Sequence, residues 1–231
     1  MKNFCLLIIA SLFSTVTFSQ TYNLDSALTA DARHRDSSYM ASLTAFRNSL
    51  HTDSLNIEKQ YNETVKWDKI KASAIFPVIN AGERSGVIPV SVQTFIPDPN
   101  MNYKLLFEII TANPDSAAKE INYHLTEIAR IINLHAASGI PLKRIMPVIV
   151  AHGSVLRALS NNEAYKKQYK TDNPNLKVIN QLVNLGAKFI ACGQAMAFMG
   201  IKKEELLPVV NVSLTAQTAL SYYTLKGYAR Y

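Results

Sequence analysis

Glycine and proline are missing from the first third of the chain. All eight glycines and all nine prolines lie at or beyond Pro77. Residues 21–76 therefore contain no helix breaker, and their apolar side chains recur at helical spacing. These side chains are Met40, Leu43, Phe46, Leu50, Ile57, Tyr61 and Val65. The pattern predicts one or two amphipathic helices, with Asp53 or Ser54 capping the second. We interpret residues 20–76 as a helical extension for packing or assembly.

Long apolar runs are also scarce, and the single one lies at the N-terminus. Lys2 supplies a positive start, and residues 4–18 are apolar or small without any charge. Small residues before Gln20 offer a cleavage site, so residues 1–19 are predicted to be a secretory signal peptide. The run is too short for a membrane-spanning helix. We therefore expect an exported protein, periplasmic or secreted, whose mature chain has no membrane span.

Cysteine is nearly absent, because the chain holds only Cys5 and Cys192. Cys5 leaves with the predicted signal peptide, so the mature chain enters an oxidising space with one thiol. That chain cannot form an internal disulfide. A leftover cysteine in a secreted protein indicates a reactive thiol or an intermolecular bond. The alternative is a small buried hydrophobic residue, since cysteine is among the most buried types, and position alone leaves both interpretations open.

Further absences exclude several function classes. The formal charge of +7 is spread out, and its densest points are the pairs Lys166–Lys167 and Lys202–Lys203. These pairs are typical of solvated surfaces, so no nucleic-acid partner is expected. Residues 153–155 lack the Gly-x-Ser-x-Gly elbow of hydrolases, and no dinucleotide-binding glycine motif follows a strand. The five histidines show no metal-ligand spacing, so neither a metal nor a cofactor is expected. They are His34, His51, His124, His135 and His152.

Apolar segments alternate with helical segments from residue 102 onward, after a proline- and glycine-rich linker at 77–101. This alternation indicates βαβ units and a parallel sheet buried on both faces, within an α/β domain over 102–231. The predicted strands are Tyr103–Ile110, Ile145–Ala151, Lys188–Ala191, Leu207–Leu214 and a short last one at Tyr228–Tyr231. The predicted helices are Asp115–Ser138, Ser154–Leu159, Asn175–Leu185, Gln194–Met199 and Thr215–Lys226.

Two polar features fall where predicted strands end, which is where ligands bind in such sheets. Cys192 follows the third strand and precedes a helix. Thiols at helix N-termini ionise more readily, so Cys192 is a candidate thiolate nucleophile. His152 follows the second strand and would lie beside Cys192 if the two strands are neighbours. It would then stabilise the thiolate or move a proton, whereas the alternative is an ordinary loop histidine.

These residues, taken in order, resemble the DsrE/DsrF-like family over roughly residues 77–231. The resemblance is carried by the strand Tyr103–Ile110, the turn Val150-Ala151-His152-Gly153, the block Cys192-Gly193-Gln194 with Ala195 and Gly200, the segment Glu204–Pro208, and the closing Gly227-Tyr228-Ala229. It implies a three-layer α/β/α fold with about five mainly parallel strands. It also implies trimeric or hexameric assembly and, in members that relay sulfur, a persulfide on the cysteine at this place, here Cys192.

Two features set this chain apart from the sulfur-relay members that it resembles. Those members work in the cytoplasm with partner proteins, whereas this chain is expected to be exported. The helical extension 20–76 also lies outside the family core. We therefore carry two hypotheses: a periplasmic thiol or persulfide carrier that meets a sulfur-donor or acceptor protein, or a non-catalytic binding or assembly module in which Cys192 merely packs. Whether the chain acts as an enzyme stays open. A homo-oligomer is expected in either case.

Overall fold

The computed structural model describes residues 24–231, without the side chains of residues 24–28 and 31. The predicted signal peptide and Cys5 lie outside the described residues. The chain divides into two compact units, one that ends at Thr64 and one that comprises Val65–Tyr231. Among the described residues, no helix combines the length and apolar character needed to cross a membrane.

A single helix, α1, runs over Leu24–Ala72. The absence of glycine and proline allows this length, and threonines at 44, 52 and 64 fit because each hydroxyl donates to the carbonyl four residues earlier. The predicted second cap at Asp53 or Ser54 is wrong, since the helix continues through both residues. Described side chains before residue 65 are exposed, and these include the apolar ones.

The segment that follows α1 is fastened to the α/β domain by a buried asparagine. Asn133 Oδ1 accepts hydrogen bonds from the backbone N–H groups of Val78 and Ile79, both at 3.0 Å. Asn133 Nδ2 donates to the carbonyls of Ile79 and Ser85, at 2.7 and 2.8 Å. A fully buried amide with its hydrogen bonds satisfied fixes the backbone around it. Residues 78–85 therefore lie against the helix that carries Asn133.

The sheet has five strands in the order β4-β3-β2-β1-β5, and all described pairings are parallel. The strands are β1 (Tyr103–Ile109), β2 (Ile145–Ala151), β3 (Lys188–Cys192), β4 (Val210–Ser213) and β5 (Ala229–Arg230). The apolar runs of β1, β2 and β3 are buried on both faces, as expected for a parallel sheet, whereas most residues of β4 and both residues of β5 are partly or fully exposed. The sequence located every strand within three residues at each end.

Helices cover both faces of this sheet. They are α2 (Tyr123–Ala137), α3 (Asn162–Tyr169), α4 (Leu176–Asn184), α5 (Gly193–Met199) and α6 (Ala216–Leu225). The larger core cluster joins one sheet face to α2, α4 and Met196 of α5. A smaller cluster joins the other face to α6. The three-layer α/β/α architecture with a helix preceding it is therefore confirmed.

Two helix predictions need correction. The helix expected from Asp115 begins only at Tyr123, because Asn122 caps it by accepting from the N–H of His124 at 3.1 Å. Residues 115–117 form a short 3₁₀ turn instead. The helix expected at Ser154–Leu159 is a 3₁₀ helix over Gly153–Leu159, and α3 was not predicted at all. Asparagine caps mark the starts of α2 and α3, and hydrophobic periodicity does not reveal them.

Candidate functional site

Cys192 is the last residue of β3 and immediately precedes α5. It is a free cysteine with 5% of its surface exposed. Its side chain belongs to the cluster on the α6 face, together with Ile190, Ala216 and Leu220. The predicted place between strand and helix is the observed one. The burial means that a reagent can reach the thiol only if nearby groups move.

The residue after Cys192 must be small. A Cβ on Gly193 would lie 2.8 Å from the carbonyl oxygen of Ser213, which is closer than real contacts allow. Gln194 N–H also donates to the carbonyl of Leu214 at 3.1 Å. The start of α5 is thus pressed against the end of β4. Glycine at this position lets the chain turn directly from Cys192 into the helix.

His152 follows β2 in an extended conformation, with φ −148° and ψ 169°. Its N–H donates to the carbonyl of Ile109 at 3.0 Å, which holds it at the end of β1. Gly153 then adopts φ +67°, a left-handed conformation that turns the chain away from the sheet and favours glycine. The turn Ala151-His152-Gly153 therefore fixes the position of the His152 side chain at the end of β2.

The sheet register places His152 and Cys192 at adjacent strand ends. Strands β2 and β3 are neighbours, and Ala151 pairs with Ala191, so the next step along both strands brings His152 opposite Cys192. Side chains alternate between faces along a strand. Val150 and Ile190 both point into the α6-side cluster, and the residues two places further on share that face. The condition on which the sequence placed His152 beside Cys192, that the two strands are neighbours, is met, while the catalytic role of either residue stays a prediction.

A carboxylate and a guanidinium complete this end of the sheet. His152 Nε2 lies 2.9 Å from Glu108 Oε1, and Arg230 of β5 donates to Glu108 Oε2. The side chains of His152 and Glu108 are mostly buried, at 21% and 18% exposed. That of Arg230 is 56% exposed. Three strands therefore contribute one chain of contacts, Arg230–Glu108–His152, on the face that holds Cys192.

The two hydrogen bonds decide the charge of Glu108. Burial by itself raises the pKa of this carboxyl, but the hydrogen bonds and charges of Arg230 and His152 outweigh it, so the pKa of Glu108 is lowered. The carboxylate is then ionised and only accepts hydrogen bonds. Its partner atom, His152 Nε2, must therefore carry a proton, and Nδ1 is the ring nitrogen that holds the lone pair whenever the ring is neutral.

The sequence analysis missed Glu108 and Arg230. Glu108 is the one charged residue in the apolar run Leu105–Ile110, and a carboxylate in a buried strand needs a partner. The sequence therefore held a sign that Glu108 has a charged or hydrogen-bonding partner. Arg230 had no comparable signal, because only the pairing of β5 with β1, which sets Arg230 opposite Leu106, brings it near Glu108.

An open groove borders this cluster, with a volume of about 470 Å³. It lies between α6 and the β1–β5 end of the sheet. Its lining consists of Glu108, Gln217, Leu220, Ser221, Thr224, Leu225 and Arg230. Because α6 contributes both to this groove and to the cover over Cys192, movement of α6 would change access to both.

The remaining histidines do not join the site. Nδ1 of His135 contacts the carbonyl of Ile131 at 2.7 Å within α2. His124 stacks on Tyr123, and burial lowers its pKa. Within residues 24–231, no group of three or more histidine, cysteine or acidic side chains is arranged to hold a metal ion.

The chain is an α/β protein whose parallel five-stranded sheet is covered by helices on both faces. Its candidate site has a thiol and a carboxylate-bound histidine at adjacent strand ends. The model of the DsrE/DsrF-like family matches residues 104–230, and the chain belongs to that family. The predicted family is therefore confirmed.

One solved structure to which the chain is similar can be named. It is that of a protein of unknown function, MTH1491, from Methanobacterium thermoautotrophicum. The two sequences are 20% identical and the TM-score is 0.41. The match covers 56% of this chain and 97% of that chain. No curated protein matches the chain.

Proposed function

We propose that this DsrE-like protein is exported and carries sulfur as a persulfide on Cys192, with His152 as its proton-transfer group. The observation that supports the proposal most directly is the register, which puts the imidazole and the thiol at adjacent strand ends on one face. Export is inferred from residues 1–19. Membership of the DsrE/DsrF-like family supplies the sulfur-relay context.

The transfer itself needs no external oxidant. His152 Nδ1 accepts the proton of the Cys192 thiol, and the thiolate attacks the outer sulfur of a persulfide donor. The S–S bond of the donor breaks, a new S–S bond forms on Cys192, and the donor leaves as its thiolate. An acceptor thiolate then attacks the outer sulfur on Cys192 and returns Cys192 to the thiolate. Each step conserves atoms and electrons.

The burial of Cys192 sets a condition on this chemistry. At 5% exposure, the thiol meets a donor only when its cover opens. Ala216 and Leu220 of α6 share the cluster of Cys192, so displacement of α6 is the motion that the proposal requires. The partner of such a step is a protein or small molecule that carries a persulfide.

The second candidate function is a binding or assembly module that kept the fold. The same burial favours it, because a thiol packed among apolar side chains behaves as a small hydrophobic residue. Under this alternative, Cys192 carries no sulfur, and the exposed α1 and the groove beside α6 provide the surfaces for binding or assembly.

Intact mass distinguishes the two functions. The protein is purified from the compartment to which it is exported and measured with and without reductant. The carrier predicts a fraction heavier by one sulfur atom, which reductant removes and which a Cys192→Ser variant lacks. A single unmodified mass under both conditions, also after incubation with an inorganic polysulfide, favours the module.

A further inference from the structure

We propose that Glu108 and Arg230 are positioning residues that hold His152 in one tautomer, with the proton on Nε2 and the lone pair on Nδ1. This inference deepens the proposed function, since it names the groups that prepare His152 as a base. Neither residue contacts the thiol in this proposal. Both act through the imidazole.

Geometry carries the first step. Glu108 Oε1 lies 2.9 Å from His152 Nε2, and an ionised carboxylate offers only acceptors. If the ring proton were on Nδ1, the lone pair of His152 Nε2 would face a lone pair of Glu108 Oε1 at 2.9 Å, which is repulsive. The Nε2–H tautomer is therefore strongly favoured, and Nδ1 becomes the ring atom that takes up a proton.

Arg230 carries the second step. It donates to Oε2 of Glu108, so the two carboxylate oxygens have different partners and the carboxylate plane is fixed from both sides. Glu108 stands on β1 between β2 and β5, and its neighbours on each side supply one partner. A charge held in this way is ionised despite its burial.

The last strand is thus part of the site. Strand β5 pairs with β1 over only two residue pairs, Leu105–Ala229 and Leu106–Arg230. Tyr231 adds one backbone hydrogen bond to the carbonyl of Leu106 at 2.9 Å, and its ring lies 5.5 Å from that of Phe107. These contacts bring the Arg230 guanidinium to Glu108, so correct docking of this short strand determines the state of His152.

Nitrogen-15 NMR of the histidine rings tests the inference on the full mature chain. Long-range proton–nitrogen correlations at neutral pH distinguish a protonated ring nitrogen from one with a lone pair, and loss of signals in His152→Ala assigns the residue. We expect Nε2 protonated and Nδ1 unprotonated. A parent spectrum with the proton mainly on Nδ1 overturns the inference without any other variant.

Two variants and a matched control sharpen the test. Glu108→Leu replaces the acceptor with an apolar side chain of similar size, while Arg230→Gln removes the charge from an exposed position. Glu108→Leu should abolish the single tautomer, Arg230→Gln should weaken the preference for it, and Arg230→Lys should restore that preference in part. The control Arg144→Gln breaks an exposed contact with Asn102 and should leave the spectrum of His152 unchanged. Parent-like tautomers in both test variants would also overturn the inference.

The same spectra on Cys192→Ser separate this inference from the proposed function. We expect the His152 tautomer to persist there, because Glu108 holds the ring without help from the thiol. If the tautomer is as expected but Cys192 never carries sulfur, the carrier function fails and the positioning stands. If Cys192 carries sulfur while His152 holds its proton on Nδ1, the positioning fails alone.

Discussion

The imidazole of His152 is bound through Nε2 to a carboxylate on the neighbouring strand, Glu108, at 2.9 Å. The two residues are 44 positions apart in sequence, and the parallel pairing of β1 with β2 brings them together. This contact orients the imidazole at the end of β2, and in the proposed function it prepares the ring as a base.

His152 should control the reactivity of Cys192. A His152→Ala change removes the nitrogen that accepts the thiol proton, so alkylation by a small reagent at neutral pH should slow by roughly tenfold or more. The measurement is the rate of labelling of the native protein, followed by mass spectrometry. His51→Ala, an exposed position on α1, is the control and should match the parent. Identical rates for His152→Ala and the parent would show that the two residues are not coupled.

The lowered pKa of Glu108 predicts a pH-dependent contribution to folding. Because the pKa of this carboxyl is lower in the folded state, its ionised form stabilises the protein above the unfolded-state pKa. That stabilisation is lost as the pH falls through the folded-state pKa. Glu108→Gln should therefore reduce the free energy of unfolding by about 1–3 kcal/mol near neutral pH, and the difference from the parent should shrink as the pH falls through the lowered pKa of Glu108. Denaturant titrations at several pH values measure both effects.

The control for this pH dependence is Glu127→Gln. Glu127 pairs with Arg130 at 2.8 Å on an exposed part of α2, where such pairs contribute about 0–1 kcal/mol. Glu127→Gln should therefore have little effect on the free energy of unfolding at any pH. If Glu108→Gln behaves in the same way, the buried carboxylate is not held by charged partners in solution.

Gly193 should resist substitution for a steric reason. A Cβ would meet the Ser213 carbonyl oxygen at 2.8 Å. Because both residues make this contact through their backbone, relieving the clash would require α5 to move away from β4. Gly193→Ala should therefore destabilise the protein by about 1–3 kcal/mol and change the labelling rate of Cys192. Gly139→Ala is the comparison, since its Cβ would meet nothing within 4 Å but its φ is +88°. It should lower the midpoint of thermal unfolding and leave the labelling rate alone.

The apolar stripe on α1 should support a homo-oligomer, most simply a trimer or a multiple of it. Tyr39, Leu43, Phe46, Leu50, Ile57 and Tyr61 are all exposed in the single chain, and at about 100° per residue they share one side of the helix. Burial of this stripe between copies would remove apolar surface from water. Light scattering on the mature protein should give the mass of an oligomer, and the mass of one chain would contradict the prediction.

Paired variants of α1 test whether that stripe holds the copies together. Leu50→Glu places a charge on the stripe and should lower the measured mass. Leu55→Glu is matched in residue type and similar in exposure, but it lies about 140° around the helix and should leave the mass unchanged. Equal masses for both variants and the parent would assign assembly to the α/β domain alone.

Local pattern was enough to locate the strands of the α/β domain and the position of Cys192. Strand Ile145–Ala151 was located residue for residue. A short unbroken apolar run rich in valine and isoleucine is typical of a strand buried on both faces of a parallel sheet. The block Lys188–Gly193 predicted a strand followed by a helix for the same reason. The absence of glycine and proline before Pro77 predicted helical structure, although not that one helix would run through Asp53 and Ser54.

Only the tertiary structure decided the surroundings of His152. Strand order is not written in any local pattern, so neither the adjacency of β2 and β3 nor the pairing of β5 with β1 could be derived from the residues. Glu108 and Arg230 are 122 positions apart, and their contact exists because two strands distant in the chain lie side by side. The burial of Cys192 is of the same kind, since α6 comes later in the chain and contributes Ala216 and Leu220 to the cluster that buries the thiol. Sequence therefore determines which chemical groups stand at strand ends, while the order and register of the strands decide which of those groups meet.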